Sequence, residues 1–194
     1  MAIPRKTQAE RREQTQATVL ACATRLFGEH GYAATSLEQI AADAGTTIRP
    51  VYHYYGNKQA LFEAVVNGFE AQLLAVLVDP AFGGAHAGLL DRFRACLAIL
   101  GRRDFQRVVL LDAPAVLGKS RWAVSPVVHA ASELMAKLPL GDDPTRSELL
   151  RRMAIGALTE AAVALAESES EAELEKRIDV LMGLAMLILP TRAR

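Results

Sequence analysis

Three glycines in the front third of the chain, Gly31, Gly45 and Gly56, each close an apolar-periodic run and are each followed by a helix-capping side chain. Thr35 and Ser36 follow the first, Thr46 and Thr47 the second, and Asn57 the third. Glycine lets a chain leave a helix through the left-handed region. Ser, Thr and Asn then accept a hydrogen bond from an otherwise unsatisfied amide at the start of the next helix. The first run starts at about Gln14, carries Leu20, Ala23 and Phe27, and stops at His30-Gly31. The second puts Leu37, Ile40 and Ala41 on one face, with Glu38 at capping-box distance from Thr35. The third runs from Ile48 to about Tyr54, with Pro50 in its first turn, where a missing N–H costs little. A long fourth helix begins at Lys58 and carries Leu61, Phe62, Val65, Phe69 and Leu73 to Asp79-Pro80. Two short helices about a turn at Gly45, with a third packed behind them, make a helix-turn-helix unit.

Further helical stretches follow, punctuated by Pro and Gly. Phe82-Gly83-Gly84 reads as a loop, 86–100 as an amphipathic helix, and Gly101 separates it from a helix over 103–111. Pro114 and Gly118 are expected to break the chain before a helix within 120–138, which Ser125-Pro126 either kinks or restarts. Leu138 to Pro144 is a turn-rich connector, and two long helices over about 145–167 and 171–189 close the chain. No strand pattern and no internal repeat is visible. The fold class is therefore all-α.

Composition narrows the function. Hydrophobic residues make up 51% but aromatics only 6%, an Ala/Leu-rich balance that favours packed helices. Basic and acidic residues balance at 22 each, so any nucleic-acid surface has to be local; residues 1–60 hold 7 of the basic and 5 of the acidic ones. Polar residues 5–16, with Arg5, Lys6, Arg11 and Arg12, are either a frayed helix start or an arm that reaches a phosphate backbone. Cys22 and Cys96 are far apart, and no CxxC or Cys/His cluster supports a disulfide framework or a metal site. No signal-peptide-like stretch opens the chain, and the apolar run Val180 to Leu189 is too short to span a bilayer. The chain is expected to be soluble and cytoplasmic.

The stretch GYAATSLEQIAADAGTTIRPVYHYYGNKQAL, from Gly31 to Leu61, resembles the DNA-binding domain of the tetracycline-repressor (TetR) family. The resemblance rests on Phe27 and Gly31-Tyr32, Thr35-Ser36, Ile40-Ala41, Gly45, the Tyr52-His53-Tyr54-Tyr55 run, Lys58 and Leu61-Phe62. It implies a DNA-binding domain over 1–60 and a helical ligand-binding and dimerisation domain over 61–194. In such a unit the N-terminal residues of the second helix meet base edges in the major groove. Thr46, Thr47, Ile48, Arg49 and Pro50 fall there. Arg49 can grip guanine bidentately, Thr47 can bond a base or phosphate, and Ile48 and Pro50 can touch thymine methyls. Thr35 and Ser36, at a helix start that favours an anion, are expected at phosphates. The resemblance adds Tyr52, His53 and Lys58 as phosphate contacts. Tyr54 and Tyr55 are either core aromatics or further contacts.

The back half is similar to the same family more loosely, most visibly over Arg107–Gly118. The family pairs its last two helices with those of a second subunit. That role is expected of the stripe Leu150, Ala154, Ala157, Ala161, Leu165 and of its neighbour Leu174, Ile178, Leu181, Ala185, Ile188. A ligand cavity is expected between the fourth helix and the helix within 120–138, with Phe69, Leu73, Phe93, Phe105, Asp112, Trp122 and His129 as candidate lining, and His86 beside them. Each of these also suits ordinary packing.

The expectation is a DNA-binding transcriptional regulator: a homodimeric repressor released from a palindromic operator by a small molecule. No cofactor, metal or membrane partner is expected. The alternatives are a helix-turn-helix protein of the same fold without an inducer, or a helical enzyme. The enzyme has no GxSxG, HExxH, P-loop or strand-following GxGxxG to support it.

Overall fold

In a computed structural model of the chain, residues 7–82, 86–118, 121, 124–136 and 143–188 are described. Among them every regular element is helical: α1 (Gln8–Ala34), α2 (Leu37–Asp43), α3 (Ile48–Tyr55), α4 (Lys58–Val78), α5 (His86–Leu100), α6 (Arg103–Phe105), α7 (Ala113–Val116), α8 (Pro126–Ala136), α9 (Pro144–Ala166) and α10 (Glu171–Ile188). A π-helical stretch, Gln106–Asp112, joins α6 to α7 without a break.

The polar front belongs to α1. Thr7 caps it and Glu10 returns the bond, so residues 8–16 are helix rather than a frayed start. Arg5 and Lys6 lie outside the described residues. At Gly31 the backbone leaves helical geometry with φ 81° and ψ 170°, a conformation for glycine alone, and the chain makes one more turn to Ala34. The capping box of α2 is Ser36 with Gln39, one residue beyond the Thr35–Glu38 pair suggested by spacing. Thr35 is instead buried, its hydroxyl donating to the carbonyl of Gly31 at 2.8 Å. Asn57 caps α4 through the amide of Ala60 at 2.8 Å, as its position suggests.

Pro114 does not break the chain. A proline in an α-helix lacks the N–H that its i−4 carbonyl expects and crowds that carbonyl. Here the amide of Ala113 reaches back five residues to Val108, and the widened turn takes Pro114 into the first turn of α7. The helix restarts cleanly at Pro126, where the Ser125 hydroxyl accepts from the amide of Val127.

α4 is the axis. It buries Leu61, Phe62, Val65, Val66, Phe69 and Leu73, and packs against α1, α5 and α8. By length and composition it could cross a membrane, but that apolar character fills the core here. Its one buried charge, Glu70 (4% exposed), is gripped by both guanidinium nitrogens of Arg121 at 3.1 and 2.9 Å. Arg121 also reaches Asn67 at 2.5 Å, tying the α7–α8 connection to α4. α1 packs along the π stretch and α6. The crossing is so close that a Cβ on Gly28 would lie 2.8 Å from the Cβ of Asp104.

Candidate nucleic-acid interface

The helix-turn-helix unit is held by a small aromatic core. Phe27 meets Phe62 edge-on at 5.1 Å between centroids, and Tyr32 meets Phe62 at 4.9 Å. Val51 and Ile40 are buried under α3 and α2, which fixes the angle of the two short helices. Arg25 ties α1 to the end of α2 through Asp43 at 2.6 Å, and the Cys22 thiol, with this guanidinium, holds Asp43 below the usual carboxylate range.

A solvent-open cleft of about 650 Å³ lies between the start of α2 and the junction of α3 with α4. Ser36, Tyr52, Asn57 and Lys58 line it, together with the backbone around Thr35. Ser36 uses its oxygen lone pair as the α2 cap, so its O–H remains a donor. Tyr52 is 50% exposed. The ammonium of Lys58 sits 4.2 Å above the Tyr32 ring, a cation–π contact that aims it, and partial burial lowers its pKa below the ordinary lysine value. Donors and a cation gathered in one concavity suit a phosphate. The Thr35 side chain does not join them, because its hydroxyl is spent inside the fold.

The face of α3 is divided. Thr47, Arg49, Tyr52 and His53 are exposed, whereas Ile48 packs partly against the core. Thr47 is the residue before α3 but makes no side-chain cap bond, so its hydroxyl is not committed to the helix. Thr46 and Pro50 are half-buried beside the turn. Tyr55 turns inward, packs against the core and donates its hydroxyl to the carbonyl of Gln16 at 3.2 Å. Tyr54 stands between His53 and Tyr55 in a row of ring contacts.

The back half holds an apolar cavity, partly open to solvent, between α4, α5, α8 and α9. Leu73 and Phe93 line it, as expected from sequence. Phe69 and Phe105 do not: they pack edge to face at 5.8 Å in the core beneath α1. His129 is 79% exposed beside Glu133, and Asp112 is bonded elsewhere. Trp122 lies outside the described residues, as does the side chain of His86. Sequence reasoning missed Arg92, Cys96, Ile155 and Thr159, which supply most of the cavity's few polar atoms and part of its far wall. Burial pushes the Cys96 thiol up to about 11, so it is neutral in the cavity.

The last two helices divide the residues expected at a subunit interface. Ala161 and Leu165 (0% exposed) are buried in the subunit's own core, and Leu174, Ile178 and Leu181 pack against it. The exposed apolar residues are Leu149, Met153 (69% exposed) and Val163 on α9, and Val180 and Leu184 on α10. Ala157 is exposed between them. The side chains of Leu150, Ala154 and Ala185, and the outward course of Ile188, lie outside what is described.

Comparison with known proteins agrees with this architecture. Residues 19–65 match the family model "Bacterial regulatory proteins, tetR family", and residues 86–186 match "Tetracyclin repressor-like, C-terminal domain". The chain is 33% identical over 85 residues to the HTH-type transcriptional repressor NicS of Pseudomonas putida, covering 39% of this chain and 40% of that protein. It is 34% identical over 97 residues to the HTH-type transcriptional repressor Rv3405c of Mycobacterium tuberculosis, covering 50% of this chain and 52% of that one. The chain thus spans about half the length, or less, of these curated relatives. A crystal structure of a TetR-family transcriptional regulator from Pectobacterium atrosepticum superposes with a TM-score of 0.71 at 32% identity, covering 97% of this chain and 100% of the other.

Proposed function

Because the chain belongs to the TetR family of bacterial regulatory proteins, we propose that it is a transcriptional repressor that binds operator DNA as a homodimer and releases it when a small molecule fills the back half. The observation that carries the reading is the convergence of Ser36, Tyr52 and Lys58 on one cleft beside the exposed Arg49. Phosphate held in that cleft sets the register of α3, and Arg49 with Thr47 then reads base edges. Residues 1–60 act as the reading domain and residues 61–194 as the regulatory one, in the cytoplasm.

Two features support the rest. The exposed apolar residues of α9 and α10 suit pairing with a second copy, which a palindromic operator requires. The cavity between α4, α5, α8 and α9 suits an apolar or amphipathic inducer, since such sites are mostly apolar with few polar groups. α4 runs from Lys58 to that cavity's Leu73 and Leu77, so one rigid element touches both sites.

Selection of operator sequences from random DNA tests the reading. A palindromic consensus with half-sites about one duplex turn apart is expected. Binding without sequence preference, or by a monomer at full affinity, would overturn it.

A further inference from the structure

A second cleft, of about 820 Å³ and sharing no lining residue with the apolar cavity, opens where the α5–α6 turn meets the connection between α9 and α10. Two of its lining residues carry a buried, unpartnered polar atom. Gln106 is 8% exposed, and its buried Nε2 finds no acceptor among the described residues. The Oγ of Ser168, on the facing connection, is also buried and without a partner among them. A buried amide or hydroxyl left unpaired is destabilising, and folded proteins retain few. Two in one cleft, from separate elements, mark a place for a third polar group.

The surroundings say what kind of group. Arg102 is already engaged, with Asp104 at 3.1 and 2.6 Å and with Gln72 at 2.7 Å. Arg103, exposed beside it, makes no ion pair among the described residues. Gln106 Nε2 and Arg103 can only donate and the Ser168 hydroxyl can also donate, so a single acceptor group satisfies all three. Leu174 and Ala98 supply apolar surface next to them. Glu171 stands on the wall and opposes further negative charge. We propose that this cleft is a second small-molecule site that takes a small monocarboxylate. Its oxygens accept from Gln106 and Ser168 near Arg103, and its short apolar body lies against Ala98 and Leu174.

Gln106 opens the π stretch whose last residue, Asp112, bonds the backbone of the helix-turn-helix unit. An occupant therefore sits at one end of an element that ends on the DNA-binding half; this regulatory reach, unlike the binding itself, rests on the function proposed above.

Calorimetric titration of the full-length protein with benzoate, and with benzyl alcohol as its neutral counterpart, tests the site. Saturable benzoate binding is expected, with benzyl alcohol much weaker. Gln106→Leu, Ser168→Ala and Arg103→Ala should each weaken benzoate by about five- to tenfold, the worth of one hydrogen bond. Phe93→Ala, in the apolar cavity, should leave it unchanged. Ser168→Ala and Arg103→Ala lie outside the helical core, so they keep the test sound if Gln106→Leu does not fold. Absence of saturable benzoate binding, equal binding of the alcohol, or wild-type affinity in Ser168→Ala and Arg103→Ala would overturn the proposal. So would a crystal grown in benzoate with only water between Gln106 and Ser168. Operator binding of Ser168→Ala and Arg103→Ala without benzoate should match wild type, which separates failure of this site from failure of the DNA-binding reading.

Discussion

The carboxylate of Asp112 accepts a hydrogen bond of 2.7 Å from the backbone amide of Tyr32, eighty residues earlier in the chain. The Tyr32 ring lies under the ammonium of Lys58, so one residue stands between the π stretch and the cleft proposed for phosphate. Asp112→Ala strands a partly buried amide and should cost about 1–3 kcal/mol of stability. Asp112→Asn keeps an acceptor and should cost clearly less. Urea denaturation of both variants checks this; equal losses would show that charge, not the bond, is what matters.

Arg49 and Lys58 should fail differently. Arg49→Ala should relax preference at one base pair and cost about 1–3 kcal/mol at the best operator. Lys58→Ala should weaken all sequences alike and reduce the salt slope by about one. Binding titrations on matched and mismatched duplexes at several salt concentrations separate the two.

Charges on α9 and α10 should distinguish assembly from folding. Met153→Glu with Leu184→Glu, both on exposed positions, should give a folded monomer that has lost operator affinity. Ala161→Glu places a charge in the subunit's own core and should unfold the subunit instead. Light scattering and circular dichroism read these outcomes; a dimer that survives the double exposed change would place the interface elsewhere.

Filling the apolar cavity should silence the inducer response. Ala131→Phe and Ile155→Trp enlarge side chains on two of its walls. Operator affinity without ligand should persist while release by an apolar ligand is lost. In the wild type, coupling of about 1–3 kcal/mol is expected, and operator DNA must weaken the ligand by the same factor. Identical ligand affinity with and without operator would rule that molecule out as an inducer.

Thiol chemistry should follow burial. Burial pushes both Cys22 and Cys96 up to about 11, Cys22 with help from Asp43. The folded chain then keeps thiol protons that the unfolded chain releases above 9.0, so this contribution is present below pH 9.0 and lost as pH climbs toward 11. Labelling by an aromatic disulfide should be slow near neutral pH and accelerate in that window. An occupant of the apolar cavity should slow Cys96 further and leave Cys22 alone. Rapid labelling of Cys96 at neutral pH would contradict its burial.

The starts of α3 and α4 were legible, with Thr47 and Asn57 standing immediately before them, whereas α1 starts at Gln8, ahead of the Gln14 expected from its apolar spacing. Ser36 took the cap from Thr35 because Thr35 has carbonyl partners within the fold, Gly31 and Leu26, that spacing does not reveal. The π stretch was not legible, since its apolar residues suit an ordinary helix and Pro114 suggests a break. The remaining misses concern rotation. One residue turns about 100° around a helix, so Ala161 and Leu165 face the core while Met153 and Val163 face outward. Phe69 and Phe105 share the apolar character of cavity residues, and only the packing of α1 over them settles which they are.

At the crossing of α1 and α6, the position of Gly28 leaves no room for even a methyl group. Loose contacts soak up small movements; a joint with no clearance passes them on. Any shift of the 103–116 segment must carry α1 along or open a void, and α1 is the beam on which α3, the helix proposed to read bases, is mounted. Alanine at position 28 would act as a shim in that joint, tilting α2 and α3 with the back half empty.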